Sequence, residues 1–389
     1  MAVKFLDFAM SEPKQEPPKP TFVPPGPREA LVSCTASAPG KVLLAGGYLI
    51  LDRPHSGSVL GLDARFYSRV ELADFSKAEK AAAGLPAEGL PIRVRSPQFR
   101  DERHYTYAPK ASPPLAICTP RGAGAAPSPN RYVELPLLHG FTLLGALLGE
   151  DFFSAAVSRA RAAGWRPSGA AGLSITLEAD NGFYSQVGEL RARGWPLSAA
   201  SLRKLPPKLP PRQDEAGEFA KTGLGSSATL VTSLLGALLH LLGAIELPPR
   251  AGAAATWAAK SAAAAEAAAE RSRGALGLLH NLSQLAHCAA QGKVGSGFDV
   301  CSATYGSHHY VRFSPGLIAD MLELPSDAAP PAEDLLRCVG AEGHTSPADA
   351  WYVGEFDRVI RRGGLMAAGA FLATGTTSSS PSRCRPASK

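Results

Sequence analysis

The segment Lys221 to Leu242, KTGLGSSATLVTSLLGALLHLL, constrains this chain more than any other. From Ser226 onward it is apolar on nearly every face, the mark of a helix buried inside a protein, so the rest of the chain must be built around it. The most apolar stretch, Leu230 to Ile245, is interrupted by Thr232, Ser233 and His240 and falls short of the ~20 residues that span a bilayer. No membrane span is expected.

Just ahead of that helix, Gly223 and Gly225 let the backbone turn tightly and expose successive N–H groups, and the first helical turn adds unpaired donors and a positive dipole end. Ser226 and Ser227 add hydroxyls able to touch phosphate oxygens or a Mg²⁺ bridging them. A glycine turn followed by a serine N-cap would explain the same letters, and local chemistry does not decide between the two. The motif is not a Walker A loop, since Lys221 precedes the glycines, and no G-x-G-x-x-G leads from a strand into a helix here.

Two further segments carry candidate chemistry. In SAPGKVLLAGGYLIL, Lys41 follows a Pro-Gly turn at the head of a strand, from which an amine can reach a cleft and neutralise a transferring phosphoryl group. An exposed turn lysine is the bland alternative. Gly46 and Gly47 permit close backbone approach or a bulge, and Tyr48 offers a hydroxyl. In QGKVGSGFDVCSATYGS, Asp299 closes a Gly-Ser-Gly turn and starts a short helix, where it can hold Lys41, orient an acceptor oxygen, bind Mg²⁺, or simply cap the turn. His287 reads as a packed helix residue, and His308 and His309 point to opposite faces of a strand, which disfavours a metal pair.

The remaining pattern mixes strands and helices. From Leu31 the chain reads as a strand, a Pro-Gly turn and a second strand, with a third over Ala64 to Leu72 and others near Ile92 to Val94 and Leu173 to Asp180. Tyr132 to Leu148 and Asp151 to Ala163 have helical spacing, and the alanine-rich stretch 251–272 has high helix propensity. Segments 73–130 and 191–220 read as surface excursions or lids, and some helix is expected from Ala348 to Leu372. The expected fold class is α+β.

A formal charge of +6, from 40 basic and 34 acidic side chains spread along the chain, suits anionic ligands but gives no basic tract for nucleic acid. The six cysteines show no C-x-x-C pair or regular spacing, so neither a zinc ribbon nor a disulfide framework is indicated. Without a signal peptide, a transit composition or a terminal S-K-L, the expected location is cytoplasmic.

Together, in this order, the three segments resemble the N-terminal lysine motif, Gly-Leu-Gly-Ser-Ser phosphate loop and catalytic aspartate of GHMP kinases. Within that superfamily, APGKVLLAGGYLILD, KTGLGSSATLVTSLLGALLHLLG and AHCAAQGKVGSGFDVCSATYGSHHYVRFSP look like phosphomevalonate kinases of the fungal and plant kind. The resemblance implies a ribosomal protein S5 domain 2-like N-terminal domain, a ferredoxin-like C-terminal domain and ATP between them. It also implies transfer of phosphate from ATP to 5-phosphomevalonate, giving 5-diphosphomevalonate in isoprenoid synthesis. By motif, Lys221, Thr222, Gly223, Leu224, Gly225, Ser226, Ser227 and Ala228 would hold ATP, with Ser227 contacting Mg²⁺. Lys41 and Asp299 would be the catalytic pair, and Tyr48, Ser296 and Gly297 would lie toward the substrate.

The family has a further glycine-rich block that nothing after Pro315 matches, so the C-terminal domain is expected to be incomplete or divergent. The expected division is a flexible Pro-rich tail over 1–29, the ATP-binding domain over 30–315, a partial domain over 316–374 and a disordered tail over 375–389. Another GHMP kinase, such as mevalonate kinase, and a non-catalytic nucleotide-binding remnant are the rival readings. The sequence does not reveal the oligomeric state.

Overall fold

Strand β1 (Leu31–Ala45) runs straight through the Pro39-Gly40 step that the sequence suggests as a turn. The step is a bulge inside one strand: pairing with the neighbouring strand β2 (Ser56–Phe75) shifts register between Pro39 and Lys41. Among the described residues β9 pairs the other edge of β1 as far as Ser37, so no ladder bond described there calls on the missing N–H of Pro39. A computed structural model describes residues 30–52, 55–118, 130–213, 219–247, 262–324, 330–339, 353–354 and 372–377. The expected tail over 1–29 and part of the alanine-rich stretch lie outside these.

The other strands are β3 (Leu90–Ser96), β4 (Asp101–Tyr107), β5 (Leu115–Cys118), β6 (Ala170–Ala179), β7 (His308–Val311), β8 (Val353–Gly354) and β9 (Leu372–Thr377). They form one sheet in the order β5-β4-β3-β6-β2-β1-β9, with β7 paired to the outer part of β2 and β8 to β7. The β3–β6 pair is parallel and the others antiparallel, so the α+β expectation holds with a mixed sheet. The strand expected near Ile92 to Val94 forms as β3, while β4 and β5 also join the sheet in a segment otherwise expected as a surface excursion or lid, because their alternation is carried by short runs between polar turns.

Alternation puts Cys34, Ala36 and Ala38 of β1, Phe66 and Val70 of β2, and Leu173 and Ile175 of β6 on one buried face. Four helices contribute to the layer over that face: α1 (Arg131–Leu148), α2 (Ser226–Leu242), α3 (Ala262–Gln291) and α4 (Phe298–Tyr305). Helix α2 has the bounds its sequence suggests, because a left-handed glycine stands at each end, Gly225 and Gly243. It lies on β1 and β2 and is flanked by α1, α3 and α4, which is why it is apolar all round. Two of its polar interruptions have side-chain partners, while the buried Thr232 hydroxyl has none among the described residues. Ser233 Oγ meets Ser68 Oγ at 2.7 Å, and His240 Nδ1 accepts from the Leu247 N–H at 3.1 Å.

The end of the chain departs from expectation. Residues 372–377, read as the edge of a helix and a polar tail, form β9 on β1, and Val353–Gly354 is a short strand where a helix is expected. Their threonines and glycines carry little apolar signal, so the pairing is not visible in composition. A further helix, α5 (Ala332–Val339), packs on α1 and α3, so the described residues beyond 315 join the same body. The rest of 340–371 lies outside the described residues.

Candidate active site

The turn ahead of α2 and the bulge of β1 are joined directly. The Lys41 backbone N–H donates to the Leu224 carbonyl at 3.0 Å, and its Nζ donates to the Gly223 carbonyl at 2.8 Å. The bulge aims the side chain this way, toward the turn.

Gly225 sits where the three segments meet. A Cβ there would lie 3.4 Å from Lys41 Cε and 3.6 Å from Asp299 Cβ, so the turn, the amine and the carboxylate share one location. Gly223 (φ 78°) and Gly225 (φ 81°) are both left-handed, which turns the chain into the helix. Gly225 offers no side-chain cap, so the first N–H groups of α2 keep no side-chain acceptor at that position. Thr222 anchors the turn, its Oγ1 donating to the Gly182 carbonyl at 2.7 Å, and Lys221 is exposed.

Asp299 stands in the first turn of α4, behind a left-handed Gly297 (φ 88°). Its carboxylate accepts from the Val300 N–H at 3.0 Å. Tyr310 fixes the approach, donating to the Ser296 carbonyl at 2.6 Å, so Ser296 and Gly297 shape the turn that carries Asp299. Arg312 donates to the carbonyls of Leu51 and Gly295 at 2.7 and 3.1 Å, tying the start of α4 to the segment that follows β1.

The electrostatics suit an anion. Burial lowers the Lys41 pKa from the usual lysine value, and the Asp299 charge opposes that shift. The Phe298 ring centroid lies 5.4 Å from Lys41 Nζ, giving the ammonium a π face. Tyr48 is 92% exposed on the short helical turn Gly47–Leu51, and among the described residues no side-chain hydrogen bond or ring contact joins it to the other two segments. That turn is held by Ile50, which packs with Val59, Cys301 and Tyr310.

One contact changes a sequence reading. His287 is packed, as its helical setting suggests, but its Nε2 lies 3.0 Å from Ser227 Oγ, at the site itself. Periodicity marks the buried face of a helix without saying what lies across from it, so no signal in α3 alone points to Ser227. His308 and His309 do alternate, buried then half-buried, along β7. Among the described residues no group of three or more His, Cys, Asp or Glu is placed to hold a metal. Ser227 and Asp299 each offer oxygen, the ligand type that nucleotide-bound Mg²⁺ takes beside phosphates and water.

The opposite face of the sheet carries a cavity of about 410 Å³ lined by Tyr67, Arg69, Arg95, Thr176, Glu178 and others. It contains none of the converging residues, and ion pairs Arg69–Glu71 (2.9 Å) and Lys208–Glu178 (2.8 Å) already balance most of its charge. It reads as a solvated charged sheet face.

No family model matches the chain. It is similar to the peroxisomal phosphomevalonate kinase of Arabidopsis thaliana, at 33% identity over 298 residues, 74% of this chain and 52% of that protein. It is similar also to the phosphomevalonate kinase of Aspergillus fumigatus, at 35% identity over 325 residues, 78% of this chain and 55% of that protein. Among solved structures, Streptococcus pneumoniae phosphomevalonate kinase in complex with phosphomevalonate and AMPPNP aligns over 82% of this chain and 58% of its own, at 15% identity and a TM-score of 0.38. The chain thus spans about half the length of the curated relatives it matches. Across that shared stretch it is a homologue of the phosphomevalonate kinases.

Proposed function

We propose that the chain carries the ATP site of a phosphomevalonate kinase and transfers the γ-phosphoryl group of ATP to 5-phosphomevalonate. The observation that carries this reading is the meeting of Lys41, Gly225 and Asp299 at one place, the arrangement a triphosphate and its acceptor need. In this reading residues 30–315 are the ribosomal S5-like part of a GHMP kinase, and residues 316–374 are a partial or divergent remainder whose described elements pack on that part.

The reaction joins two anions. An acceptor phosphate oxygen attacks the γ-phosphorus, the bond to the bridging oxygen breaks, and ADP leaves with its electron pair. A phosphate monoester has a second pKa of about 6, so the attacking oxygen is already deprotonated near neutrality and a strong base adds little. What the step needs is positive charge on the transferring oxygens. The N–H groups from Gly223 to Ala228 cradle the phosphates, and Lys41 supplies the charge. Bound Mg²⁺, held in part by Ser227 Oγ, would neutralise further phosphate charge. Asp299 keeps Lys41 charged and placed, ranking below it as a source of rate.

The test is ADP release with 5-phosphomevalonate against mevalonate as acceptor. Rate with the first alone supports the reading, rate with mevalonate alone favours a mevalonate kinase, and nucleotide binding with neither favours a non-catalytic remnant. The pH profile gives a second check. Burial lowers the Lys41 pKa and Asp299 raises it, so activity should be lost, as pH rises, below the usual lysine value. In Asp299→Asn the supporting charge is gone, so the alkaline limb should move to still lower pH. A limb that stays put or moves upward contradicts the assigned pairing.

No single helix among the described residues is long and apolar enough to cross a membrane.

A further inference from the structure

We propose that His287 is a positioning residue for the phosphate site: its Nε2 takes the hydroxyl hydrogen of Ser227 and so turns the oxygen's lone pairs toward a cation carried by bound nucleotide. The inference rests on the ATP-site reading above. Its basis is a set of contacts that leaves the hydroxyl one orientation.

The imidazole is nearly enclosed, at 1% exposure, beside the Tyr132 ring at a centroid distance of 5.9 Å. Its Nε2 has two neighbours, Ser227 Oγ at 3.0 Å and Gln291 Nε2 at 3.2 Å. Set with its amide nitrogen toward the ring, Gln291 donates, which makes that ring nitrogen the acceptor, and the nearer Ser227 hydroxyl takes the larger share of its single lone pair. Ser227 therefore donates to the ring, and both lone pairs of its oxygen are left for another partner.

Ser226, one residue earlier in the same turn, has no such bond among the described residues. The two hydroxyls thus differ: one rotates, the other is held. A held oxygen suits Mg²⁺, which demands near-ideal octahedral geometry and is poorly served by a ligand that must be ordered on binding. Outer partners that orient metal ligands commonly alter affinity by about 10- to 100-fold. Simple burial of a histidine beside a convenient serine would produce the contact too, but it would affect stability and not the metal-dependent part of nucleotide affinity.

The experiment is calorimetric titration of the full chain with AMPPNP, with Mg²⁺ and in EDTA. His287→Leu removes the acceptor, whereas His287→Gln returns an oxygen acceptor at similar reach. We expect His287→Leu to weaken Mg²⁺-AMPPNP binding about tenfold or more with metal-free AMPPNP unchanged. His287→Gln should recover most of the loss, and in a Ser227→Ala background His287→Leu should add nothing.

Equal Mg²⁺-AMPPNP affinity in His287→Leu and the parent overturns the proposal. So does an equal loss with and without metal, or a glutamine variant no better than leucine. If the leucine variant does not fold, the glutamine variant decides: it should bind close to the parent while Ser227→Ala is about tenfold weaker, and matching Ser227→Ala overturns the proposal. A parent chain that binds no AMPPNP under either condition removes the ATP-site reading itself, an outcome distinct from failure of the variants alone.

Discussion

Lys41→Met should lower ATP-dependent turnover about a thousandfold and leave the melting temperature near that of the parent chain. The size follows from the position of the amine, which bonds the carbonyl of Gly223 in the turn that would cradle the phosphates. Loss of one preorganised electrostatic contact to developing charge costs about a hundred- to a thousandfold in rate. Lysine belongs at the upper end, because it removes a full charge where two anions must approach. The stability effect is small for a separate reason. The lost hydrogen bond is exposed and contributes about 1 kcal/mol, and methionine relieves the desolvation that burial imposes on the ammonium. ADP release and thermal melting on the same preparation separate the two effects. Unchanged turnover would remove the mechanism, and a collapsed melting temperature would make Lys41 structural.

The second large effect is on folding. Gly297→Ala should destabilise the chain by about 2 to 5 kcal/mol, read by urea unfolding. The position has φ 88°, which costs a residue with a Cβ about 1 to 2 kcal/mol. The added methyl also has nowhere to go: it collides with the Tyr310 hydroxyl and comes within 2.8 Å of Phe313 and 3.0 Å of Gln284 Oε1. Overpacking of this kind costs about 1 to 3 kcal/mol more, a large part of a domain's usual 5 to 15 kcal/mol. A midpoint equal to that of the parent would mean the turn carrying Asp299 is looser than described. The site consequence comes with it, because the bond from Tyr310 to the Ser296 carbonyl holds the start of α4.

Much of the site was legible because its parts are local. The glycines and serines of 223–228 and the apolar run behind them declare a turn and a buried helix, and Ser226–Leu242 forms with those bounds. Asp299 likewise starts the helix its turn suggests. What local pattern does not contain is which segments meet. The bond from Lys41 Nζ to Gly223 links residues far apart in the chain, and the family resemblance, not spacing, supplied the expectation that they converge.

Misreadings have the same origin. Pro39-Gly40 carries the letters of a turn, yet it forms a bulge inside β1, which among the described residues pairs with β9 only as far as Ser37. Strand β9 has a polar, glycine-bearing sequence, and what makes it a strand is the open edge of β1. Strands β4 and β5 are hidden among polar turns in the same way. His287 could be assigned to a packed helix from its neighbours, while its contact with Ser227 depends on how α2 and α3 lie together.

Hydrogen exchange with and without Mg²⁺-AMPPNP tests most directly whether the segments enclose a single nucleotide. Amides from 225 to 228 and at the start of α4 near Asp299 should slow together on addition of nucleotide, with Lys41→Met reducing both changes in parallel. Protection at only one of the two places, or on the opposite face around Tyr67 and Thr176, would contradict a shared triphosphate site.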